Sequence, residues 1–371
     1  MGIHHARMVA AGKIPGCQLS ALADSDPTRL HEFPTLPHFN DSQSLIHSGQ
    51  IDALLIATPH YSHTSIGISA LQAGLHVLVE KPLSVHKADC ERLIAAHTNK
   101  KQIFAAMFNQ RSDPAYQKIR HLVQSGQLGR IQRIHWTVTD WFRTQAYYDS
   151  GGWRATWAGE GGGVLLNQCV HNLDLFQWIF GLPESVRALC RIGHHHNIEV
   201  EDEVTALFSF AQGATAVLAT STGEAPGVNR LEIAGDLGRL CLEDNRLTLI
   251  RNEIPSSLHS RQSREAYETP PTWKIDIPLP GHRGEQHAAI LKNFCNAILH
   301  REPLLSPAAE GIHSVELINA MLLSSFQDQT IHLPLSSSRY ERFLKKLIAS
   351  SKKKKTIRRY QGRAGNYLVQ C

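Results

Sequence analysis

The sequence has no uninterrupted apolar run of about 18 residues, so no membrane-spanning helix is predicted. Its first seven residues, Met1 to Arg7, lack the long apolar segment of a secretory signal. The seven cysteines are scattered, odd in number and form no C-x-x-C pair. We therefore interpret them as reduced thiols of a cytoplasmic protein, which argues against a disulfide framework or a zinc site.

Acidic residues are missing from the carboxyl-terminal end. Between Arg342 and Cys371 there are ten lysines and arginines and no aspartate or glutamate. Because the whole chain carries +5, the rest of it carries −5, and a basic tail is predicted over residues 346–371. We expect this tail to be disordered and solvated. The alternative is that Lys352–Lys355 and Arg358–Arg359 bind nucleic acid or an anionic surface. For the body of the protein, neither a nucleic-acid partner nor membrane binding is expected.

The first hundred residues alternate between apolar runs and helical segments. Strands are predicted at 18–23, 51–57, 75–79 and 102–107, with helices at 65–73 and 87–97. Near-continuous apolar strands separated by helices are typical of a parallel sheet that helices cover on both faces. Residues 1–108 are therefore predicted to form an α/β domain with a Rossmann-type parallel sheet, in which ligands bind beyond the carboxyl ends of the strands.

From residue 109 onward the pattern changes. The strand-like segments often alternate polar and apolar residues, and helices are predicted at 162–180 and 311–325. Residues 255–272 are polar and are predicted to form a long loop. The pattern favours a predominantly antiparallel α+β domain over residues 109–345. Its open sheet can pair with a second copy, so a homodimer or homotetramer is expected.

Two ionisable residues stand at the ends of apolar elements. Lys81 follows a predicted buried strand, where Glu80 can hold its ammonium group and Pro82 turns the chain away. His171 lies in a helix that follows the glycine turn 161–163. A lysine and a histidine placed in this way can share one proton-transfer task.

A polar stripe is predicted on the helix after the glycine turn. Asn167, His171 and Asp174 are spaced i, i+4 and i+7, which places them on one face. Asn167 cannot ionise, so it can orient a hydroxyl group or His171 but cannot act as a base. His171 is left as the proton acceptor, with an expected unperturbed pKa of about 6.5.

Three consecutive histidines, His194 to His196, look like a metal-binding cluster. On a strand, however, neighbouring side chains point to opposite faces, so at most two of the three can share an ion. No metal site is predicted.

Four motifs occur together: Asp24 at a strand end, the segment 57–63, Glu80-Lys81-Pro82, and the segment 161–174. With this set, the chain resembles the Gfo/Idh/MocA oxidoreductases from residue 1 to about residue 345. Its Gly-Gly-Gly, Asn-Gln and His pattern is similar to that of bacterial sugar dehydrogenases. The resemblance implies an NAD(P)-dependent enzyme that oxidises a ring hydroxyl of a sugar, glycoside or polyol by hydride transfer.

The resemblance assigns a dinucleotide to residues 1–108. Asp24 would bind the ribose hydroxyls, which favours NAD, although Ser25 and Arg29 leave NADP possible. The implied catalytic residues are Lys81, His171 and Asn167. The implied cofactor contacts are Gly2, Ile3, Asp24, Thr58, Pro59, His60, His63, Glu80, Lys81, Asn109, Trp153 and Arg154. The implied substrate contacts are Lys81, Arg111, Tyr147, Asn167, His171 and His287. For His63 and His287, a structural capping role is the alternative.

One departure from the family concerns the amino terminus. The family begins with an apolar strand and a glycine-rich turn that cradles the pyrophosphate. Here Met1 to Ala6 resembles only the last glycine and the following helix, so the first strand and two glycines are expected to be absent. That absence favours a catalytically inactive cofactor- or sugar-binding regulator, whereas Lys81 and His171 favour an enzyme. A redox-assisted glycosidase is a further alternative.

Overall fold

The computed structural model describes residues 1–351. The two basic clusters predicted in the tail, Lys352–Lys355 and Arg358–Arg359, lie outside the described residues. Within residues 1–351, no helix combines the length and the apolar character that crossing a membrane requires.

Fourteen strands are present in the described part of the chain. They are β1 Leu22–Ala23, β2 His38–Phe39, β3 Ala53–Ile56, β4 His76–Val79, β5 Phe104–Ala106, β6 Ile131–Val138, β7 Ser185–Ile192, β8 Glu201–Ser209, β9 Thr215–Ser221, β10 Asn229–Gly235, β11 Gly238–Glu243, β12 Arg246–Asn252, β13 Thr272–Ile277 and β14 Ile331–His332.

Twelve α-helices connect them, again within residues 1–351. They are α1 Gly2–Ala10, α2 Ser42–Ile46, α3 Ser62–Gln72, α4 Lys87–Ala96, α5 Pro114–Gln124, α6 Gln145–Asp149, α7 Val164–Asn167, α8 Val170–Phe180, α9 Ser256–Gln262, α10 His287–His300, α11 Gly311–Gln327 and α12 Ser337–Ser350. Short 3-10 helices lie at Pro27–Leu30, Asn109–Ser112 and Ala308–Glu310.

The parallel strands of the first domain form two separate sheets. Strands β3, β4 and β5 make a three-stranded sheet, in which apolar residues such as Ile56 and Val77 are almost completely buried. Strand β1 pairs only with β2, in a parallel sheet of its own. The Rossmann-like fold class is confirmed, but the single parallel sheet that we expected to include residues 18–23 is divided. Only Leu22 and Ala23 of that segment are strand.

The second domain is built on a nine-stranded sheet with the order β13-β12-β11-β10-β6-β9-β8-β7-β14. Neighbouring strands are antiparallel except β6 and β9, which run parallel. Along β7, Val186, Ala188 and Cys190 are buried, whereas Leu189 is exposed. This alternation agrees with the period of two in a half-buried strand. Helices α8 and α11 pack against each other and α11 packs on β7, so the predominantly antiparallel α+β prediction is confirmed.

Two helices cross between the domains. Helix α10 packs on the first domain, because Ile290, Leu291 and Phe294 share a core with Leu78 and Met107. Helix α12 packs on α4. Elements that follow residue 109 therefore also pack on the first domain, and the domain boundary at residues 108 and 109 stays a prediction. The predicted tail also starts too early, because α12 continues through residues 346–350.

The predicted loop at 255–272 is partly helical. Its first residues form α9, with Ser256 and Ser257 bonded to Asp236. The first backbone N–H groups of a helix have no acceptor within the helix. Here the Asp236 carboxylate accepts the backbone N–H of Ser257 and the hydroxyl groups of both serines. The polar composition that indicated a loop is thus that of an exposed helix with a capped start.

Candidate active site

Lys81 lies immediately beyond the carboxyl end of β4. Its Nζ donates to the backbone oxygen of Asn167 at 2.6 Å and lies 3.3 Å from the Asn167 Oδ1 atom. The strand before it is buried and paired on both sides, which fixes where the side chain begins. The contact joins a residue of the first domain to one 86 positions away in the second.

The helix that precedes His171 is broken where the sequence predicted continuity. Helix α7 ends at Asn167 and α8 begins at Val170. The last carbonyls of a helix have no partner within it, so the carbonyl of Asn167 is available to the ammonium group of Lys81. The prediction that Asn167, His171 and Asp174 lie on one face of a single helix is therefore wrong. The break leaves the carbonyl of Asn167 open to the ammonium group of Lys81.

The start of α7 is held by a buried acid. The Glu201 Oε1 atom accepts the backbone N–H of Gly163 at 2.8 Å and of Leu165 at 3.1 Å. Gly163 itself touches β8, since an added Cβ would lie 1.8 Å from the carbonyl oxygen of Glu201. Burial raises the pKa of Glu201 to about 7, against the lowering effect of these hydrogen bonds. The triple glycine thus allows the helix to start directly on the sheet.

His171 is buried beside Lys81 and His287. Burial, together with the positive charge of Lys81, holds the pKa of His171 well below its usual value. The buried Nδ1 atom has no hydrogen-bond partner within residues 1–351. The expected unperturbed pKa is therefore wrong, because a buried imidazole near a cation disfavours a second positive charge. His171 is neutral at neutral pH and can accept a proton.

The carboxylate of Glu80, the residue before Lys81, interacts electrostatically with the lysine. Burial acts to raise the pKa of Glu80, but the hydrogen bond and charge of His5, with Lys81 and His287, outweigh it and lower the pKa to about 2. The His5 Nε2 atom lies 2.6 Å from Glu80 Oε1. Glu80 is thus an ionised carboxylate within the lysine's electrostatic reach.

The sequence interpretation missed His4 and His5 and assigned His287 to the substrate. The ring centroid of His287 lies 5.7 Å from that of His4 and 5.5 Å from that of His5. Burial lowers the pKa of His287 to about 4, with Glu80 opposing this effect. A signal for His5 was present, since it follows Gly2 on an amphipathic first helix whose buried residues are His5 and Ala6.

Asn167 is oriented by Glu160, which the sequence interpretation also missed. The Asn167 Nδ2 group donates to the Glu160 carboxylate and lies 3.4 Å from the Tyr147 hydroxyl. Burial raises the pKa of Glu160, while the backbone N–H of Ala155, charge of Arg154 and amide of Asn167 act to lower it. With its nitrogen held by Glu160, Asn167 presents its oxygen towards Lys81. Glu160 stands directly before the glycine turn, which is the signal that could have identified it.

Tyr147 and Arg154 meet at the same place. The Arg154 Nη1 atom donates to the Tyr147 hydroxyl at 2.7 Å, and the guanidinium lies 4.7 Å from the centroids of the Tyr147 and Trp153 rings. This cation–aromatic group borders Asn167 through the Tyr147 hydroxyl. The predicted residues Tyr147, Trp153 and Arg154 are therefore brought together.

The remaining residues predicted near the cofactor lie mainly at the carboxyl ends of β1 and β3. Thr58 and Pro59 follow β3 and are exposed. Gly2, at the start of α1, lies close to Ala57: a Cβ atom added to Gly2 would stand 3.6 Å from the Cβ atom of Ala57. Asp24 follows β1, accepts the N–H of Asp26 at 2.9 Å and lies 3.6 Å from Arg29. Backbone N–H groups at a helix start suit phosphate and a carboxylate suits ribose hydroxyls. These groups fit a dinucleotide. Ile3 is also exposed there.

Two predicted cofactor histidines are engaged with the backbone. The nitrogens of His63 lie 2.9 Å from the carbonyl oxygens of Thr58 and Pro82, and the side chain is completely buried. The His60 Nδ1 atom lies 3.2 Å from the Glu160 carbonyl oxygen. His63 therefore ties the loop after β3 to the loop after β4. For both residues, contact with the cofactor stays a prediction.

Arg111 and Asn109 are placed by structural contacts. The guanidinium of Arg111 is completely buried, bonds Asp174 at 2.7 and 2.6 Å, and also contacts Glu310. A substrate contact would require this pair to open, so the geometry gives Arg111 and Asp174 a structural role. Asn109 Nδ2 donates to Gln286 Oε1 at 2.8 Å, directly before His287.

Two adjoining polar cavities, of about 80 and 220 Å³, lie near the end of β6. Trp141 in the smaller one donates to Asn172, the neighbour of His171, at 3.3 Å. The buried Oε1 atom of Gln110, in the same lining, has no partner in the described chain. The residues that line both cavities are Asp113, Tyr116, Asp140, Asn229 and Arg283.

Comparison with known proteins identifies the family. Residues 1–108 match the model for the oxidoreductase family with an NAD-binding Rossmann fold, and residues 116–241 match the model for the GFO/IDH/MocA C-terminal domain. The chain belongs to the Gfo/Idh/MocA oxidoreductase family. The family prediction is confirmed, and with it the assignment of an NAD-binding Rossmann domain to the first part of the chain.

Individual relatives of this Gfo/Idh/MocA protein are similar at modest identity. An uncharacterised oxidoreductase of Escherichia coli is 30% identical over 183 residues, 49% of this chain and 51% of the relative, so the chain spans about half of that protein. Levoglucosan dehydrogenase of Pseudarthrobacter phenanthrenivorans is 24% identical over 332 residues, 81% and 84% of the two chains. The WlbA dehydrogenase of Bordetella pertussis, solved with NADH and UDP-GlcNAcA, is 25% identical with a TM-score of 0.74, and 90% of this chain and 96% of that one are covered.

Proposed function

We propose that the protein is an NAD(P)-dependent dehydrogenase that oxidises a ring hydroxyl of a sugar, glycoside or polyol. The proposal rests on one observation above the others: Lys81 reaches across the domains to Asn167 and lies close enough to affect the pKa of His171. A cation and a neutral base that meet beside the carboxyl ends of parallel strands are suited to removing a proton from an alcohol.

In this mechanism, Lys81 donates a hydrogen bond to the substrate hydroxyl and stabilises the alkoxide that develops on its oxygen. The neutral imidazole of His171 accepts the proton. A bound nicotinamide ring would accept the hydride from the same carbon. Asn167 keeps Lys81 in position, and Glu160 keeps the amide of Asn167 in its orientation.

Gly2, Ile3, Asp24 and Thr58 would hold the dinucleotide in this proposal. Asp24 favours NAD, because a carboxylate repels the additional phosphate of NADP, while Arg29 nearby is the feature that would tolerate it. The WlbA relative was solved with NADH, which agrees with this preference.

We further propose that the substrate is uncharged. The two cavities near β6 share the carboxyl groups of Asp113 and Asp140 and the guanidinium of Arg283, and Asp244 adds a third carboxyl group to the larger cavity. Burial raises the pKa of both aspartates because a negative charge is poorly solvated there, and an anionic substrate would meet the same desolvation cost. A neutral ring such as levoglucosan, the substrate in one relative's name, suits this lining better than a sugar acid.

A test compares Lys81→Ala with Lys101→Ala, a control at an exposed lysine. Turnover of levoglucosan, myo-inositol and a panel of glycosides with NAD should fall about 10²–10⁴-fold in Lys81→Ala, the range lost with a proton-transfer group. NADH affinity, followed by nicotinamide fluorescence, should stay within about two-fold of wild type, since the lysine is proposed to act on the substrate.

Unchanged turnover in Lys81→Ala would contradict the mechanism. NADH and sugar binding with no turnover in wild type would instead support the inactive regulator. Release of the aglycone from an aryl glycoside would support the redox-assisted glycosidase.

We also propose an oligomeric assembly for the protein. The outer face of the nine-stranded sheet exposes Leu189 and Leu207, which suits pairing with a second copy. Light scattering after size exclusion should give the mass of a dimer or tetramer, and a monomer at micromolar concentration would contradict this. The cytoplasmic location stays a prediction.

A further inference from the structure

The three consecutive histidines lie in a turn between β7 and β8, and the strand geometry used to exclude a metal does not apply to them. Gly193 begins the turn with a φ of +53°. His196 turns inward, with Nδ1 3.0 Å from Asp202 Oδ2 and Nε2 2.8 Å from the Arg143 carbonyl oxygen. His194 and His195 remain at the surface on the same side.

These two histidines meet an acid from β8. One ligand atom each from His194, His195 and Glu203 lies within 4.8 Å of the other two. The His195 Nε2 atom and the Glu203 Oε2 atom are 2.8 Å apart. In a tetrahedral zinc site with bonds of about 2.0–2.1 Å, ligand atoms stand about 3.4 Å apart. The spacing between His195 and Glu203 is shorter than this value and all three ligand atoms lie within 4.8 Å of one another, so side-chain rotations can close the set on an ion.

We propose that His194, His195 and Glu203 form a binding site for a divalent transition-metal ion of the zinc type. Two imidazoles and one carboxylate are a ligand set that Zn²⁺ uses, with water in the fourth position. The oxygen-only sets that Mg²⁺ and Ca²⁺ prefer are not matched. The site is distinct from the candidate active site and concerns none of its residues.

The backbone of this site is already in place. The Asp202 carboxylate accepts the backbone N–H groups of His194, His195 and His196, at 2.9, 2.8 and 3.0 Å. The ring of His195 packs over Gly223, where an added Cβ would lie 2.1 Å from its Cγ atom. A bound metal would therefore have to fix only the side-chain rotamers of two histidines and one glutamate, which lowers the entropy cost of binding.

One neighbouring charge limits the affinity. Arg191 is paired directly with Glu203 across β7 and β8, so its side chain is on the same face. Its positive charge opposes a bound cation. We therefore expect reversible binding, weaker than at a closed site with four protein ligands.

The site supports the segment that carries Tyr147. His196 bonds to the Arg143 carbonyl, its ring lies 4.7 Å from that of Tyr148, and the N–H of Asn197 donates to Gln145 at 2.9 Å. An ion that fixes the turn 193–197 would therefore stabilise helix α6 on the sheet. Its expected effect is structural, with no part in proton or hydride transfer.

The test uses the full chain after chelator treatment, titrated with ZnCl₂ against a chromophoric zinc chelator. Wild type should bind one Zn²⁺ per chain by this set. The variants His194→Gln, His195→Gln and Glu203→Gln should each weaken that binding at least about ten-fold, since each removes one of three ligands. His332→Gln, at an exposed histidine on β14, should bind like wild type. Circular dichroism of the metal-free variants checks that they fold.

Cobalt(II) provides a second measurement. The wild-type complex should show visible absorption of a four-coordinate nitrogen and oxygen site, and His195→Gln should lose it. The proposal is overturned if wild type binds no Zn²⁺, or if the three ligand variants retain its affinity and stoichiometry.

Discussion

At the scale of single residues, the histidines of this chain differ mainly in their surroundings. His63 is buried, and its ring nitrogens lie 2.9 Å from two carbonyl oxygens, so it ties two loops together. His171 is buried near the cation of Lys81 and is kept neutral. His194 and His195 are exposed and close to a carboxylate. Our proposals thus give one residue type three roles, a tie between loops, a base and a metal ligand, because burial and neighbouring charge set the protonation of each imidazole and the ring nitrogens that stay available.

The lowered pKa of His171 predicts a specific pH dependence. Its proton-accepting form persists as the pH falls through the usual histidine value of about 6.5, because the folded pKa lies well below it. The kcat/KM profile of wild type should therefore show no acid limb near that pH from this group. His171→Gln should lower kcat about 10²–10⁴-fold without moving the remaining limbs.

Initial rates measured from about pH 5.5 to 9 provide the profile, with His332→Gln as a control at an exposed histidine. An acid limb near pH 6.5 in wild type that disappears in His171→Gln would show that the imidazole titrates normally.

At the scale of elements, the short helix α7 is the part of the fold that completes the site. Glu201 holds its start, and its early end exposes the carbonyl of Asn167 to Lys81. A continuous helix through residues 162–180 would have used that carbonyl internally. The break between α7 and α8 therefore leaves the carbonyl of Asn167 without a partner in the helix and open to Lys81.

Gly163→Ala should weaken the packing of α7 on the sheet. An added Cβ would lie 1.8 Å from the Glu201 carbonyl oxygen, which is backbone and cannot move aside without displacing β8. We expect the free energy of unfolding to fall by about 1–3 kcal/mol or more, the cost of overpacking a filled site. Turnover should fall as well, since Asn167 sits at the end of the same helix.

Urea denaturation followed by tryptophan fluorescence measures this change. Gly281→Ala is the matched control, because an added Cβ there has no atom within 4 Å. Equal stability of the two variants would mean that α7 can move away from β8 at little cost.

At the scale of the whole molecule, a buried ion pair directly after the first domain and helices that cross between the domains stabilise the fold. Arg111 follows the last strand of the first domain and binds Asp174 of α8 and Glu310 before α11. Helix α10 packs on the first domain and brings His287 to Glu80. Helix α10 thus joins the two domains near the place where Lys81 meets Asn167.

Arg111→Met should destabilise the whole molecule. It leaves the Asp174 carboxyl group buried without its guanidinium partner, and losing one member of a buried pair costs about 3–5 kcal/mol. Unfolding in urea should shift accordingly, with one transition if the domains unfold together. Arg264→Met changes an exposed arginine and should leave the midpoint unchanged. A loss below about 1 kcal/mol would show that Asp174 is satisfied in another way.

The sequence was sufficient for features that depend on local rules. Apolar strands followed by polar loops predicted the parallel sheet and placed Asp24, Thr58 and Lys81 at strand ends, where the structure has them. The glycine turn before His171 predicted a helix at the right place. Periodicity and the chemistry of strand ends are readable over ten or twenty residues.

Only the tertiary structure decided the pairings and the protonation states. His5 meets Glu80 from 75 positions away, and Arg111 meets Asp174 from 63. The division of the parallel sheet, the crossing of α10 and the lowered pKa of His171 arise in the same way. Burial and through-space contact act between segments that the folded chain brings together, and no spacing along the sequence contains those distances.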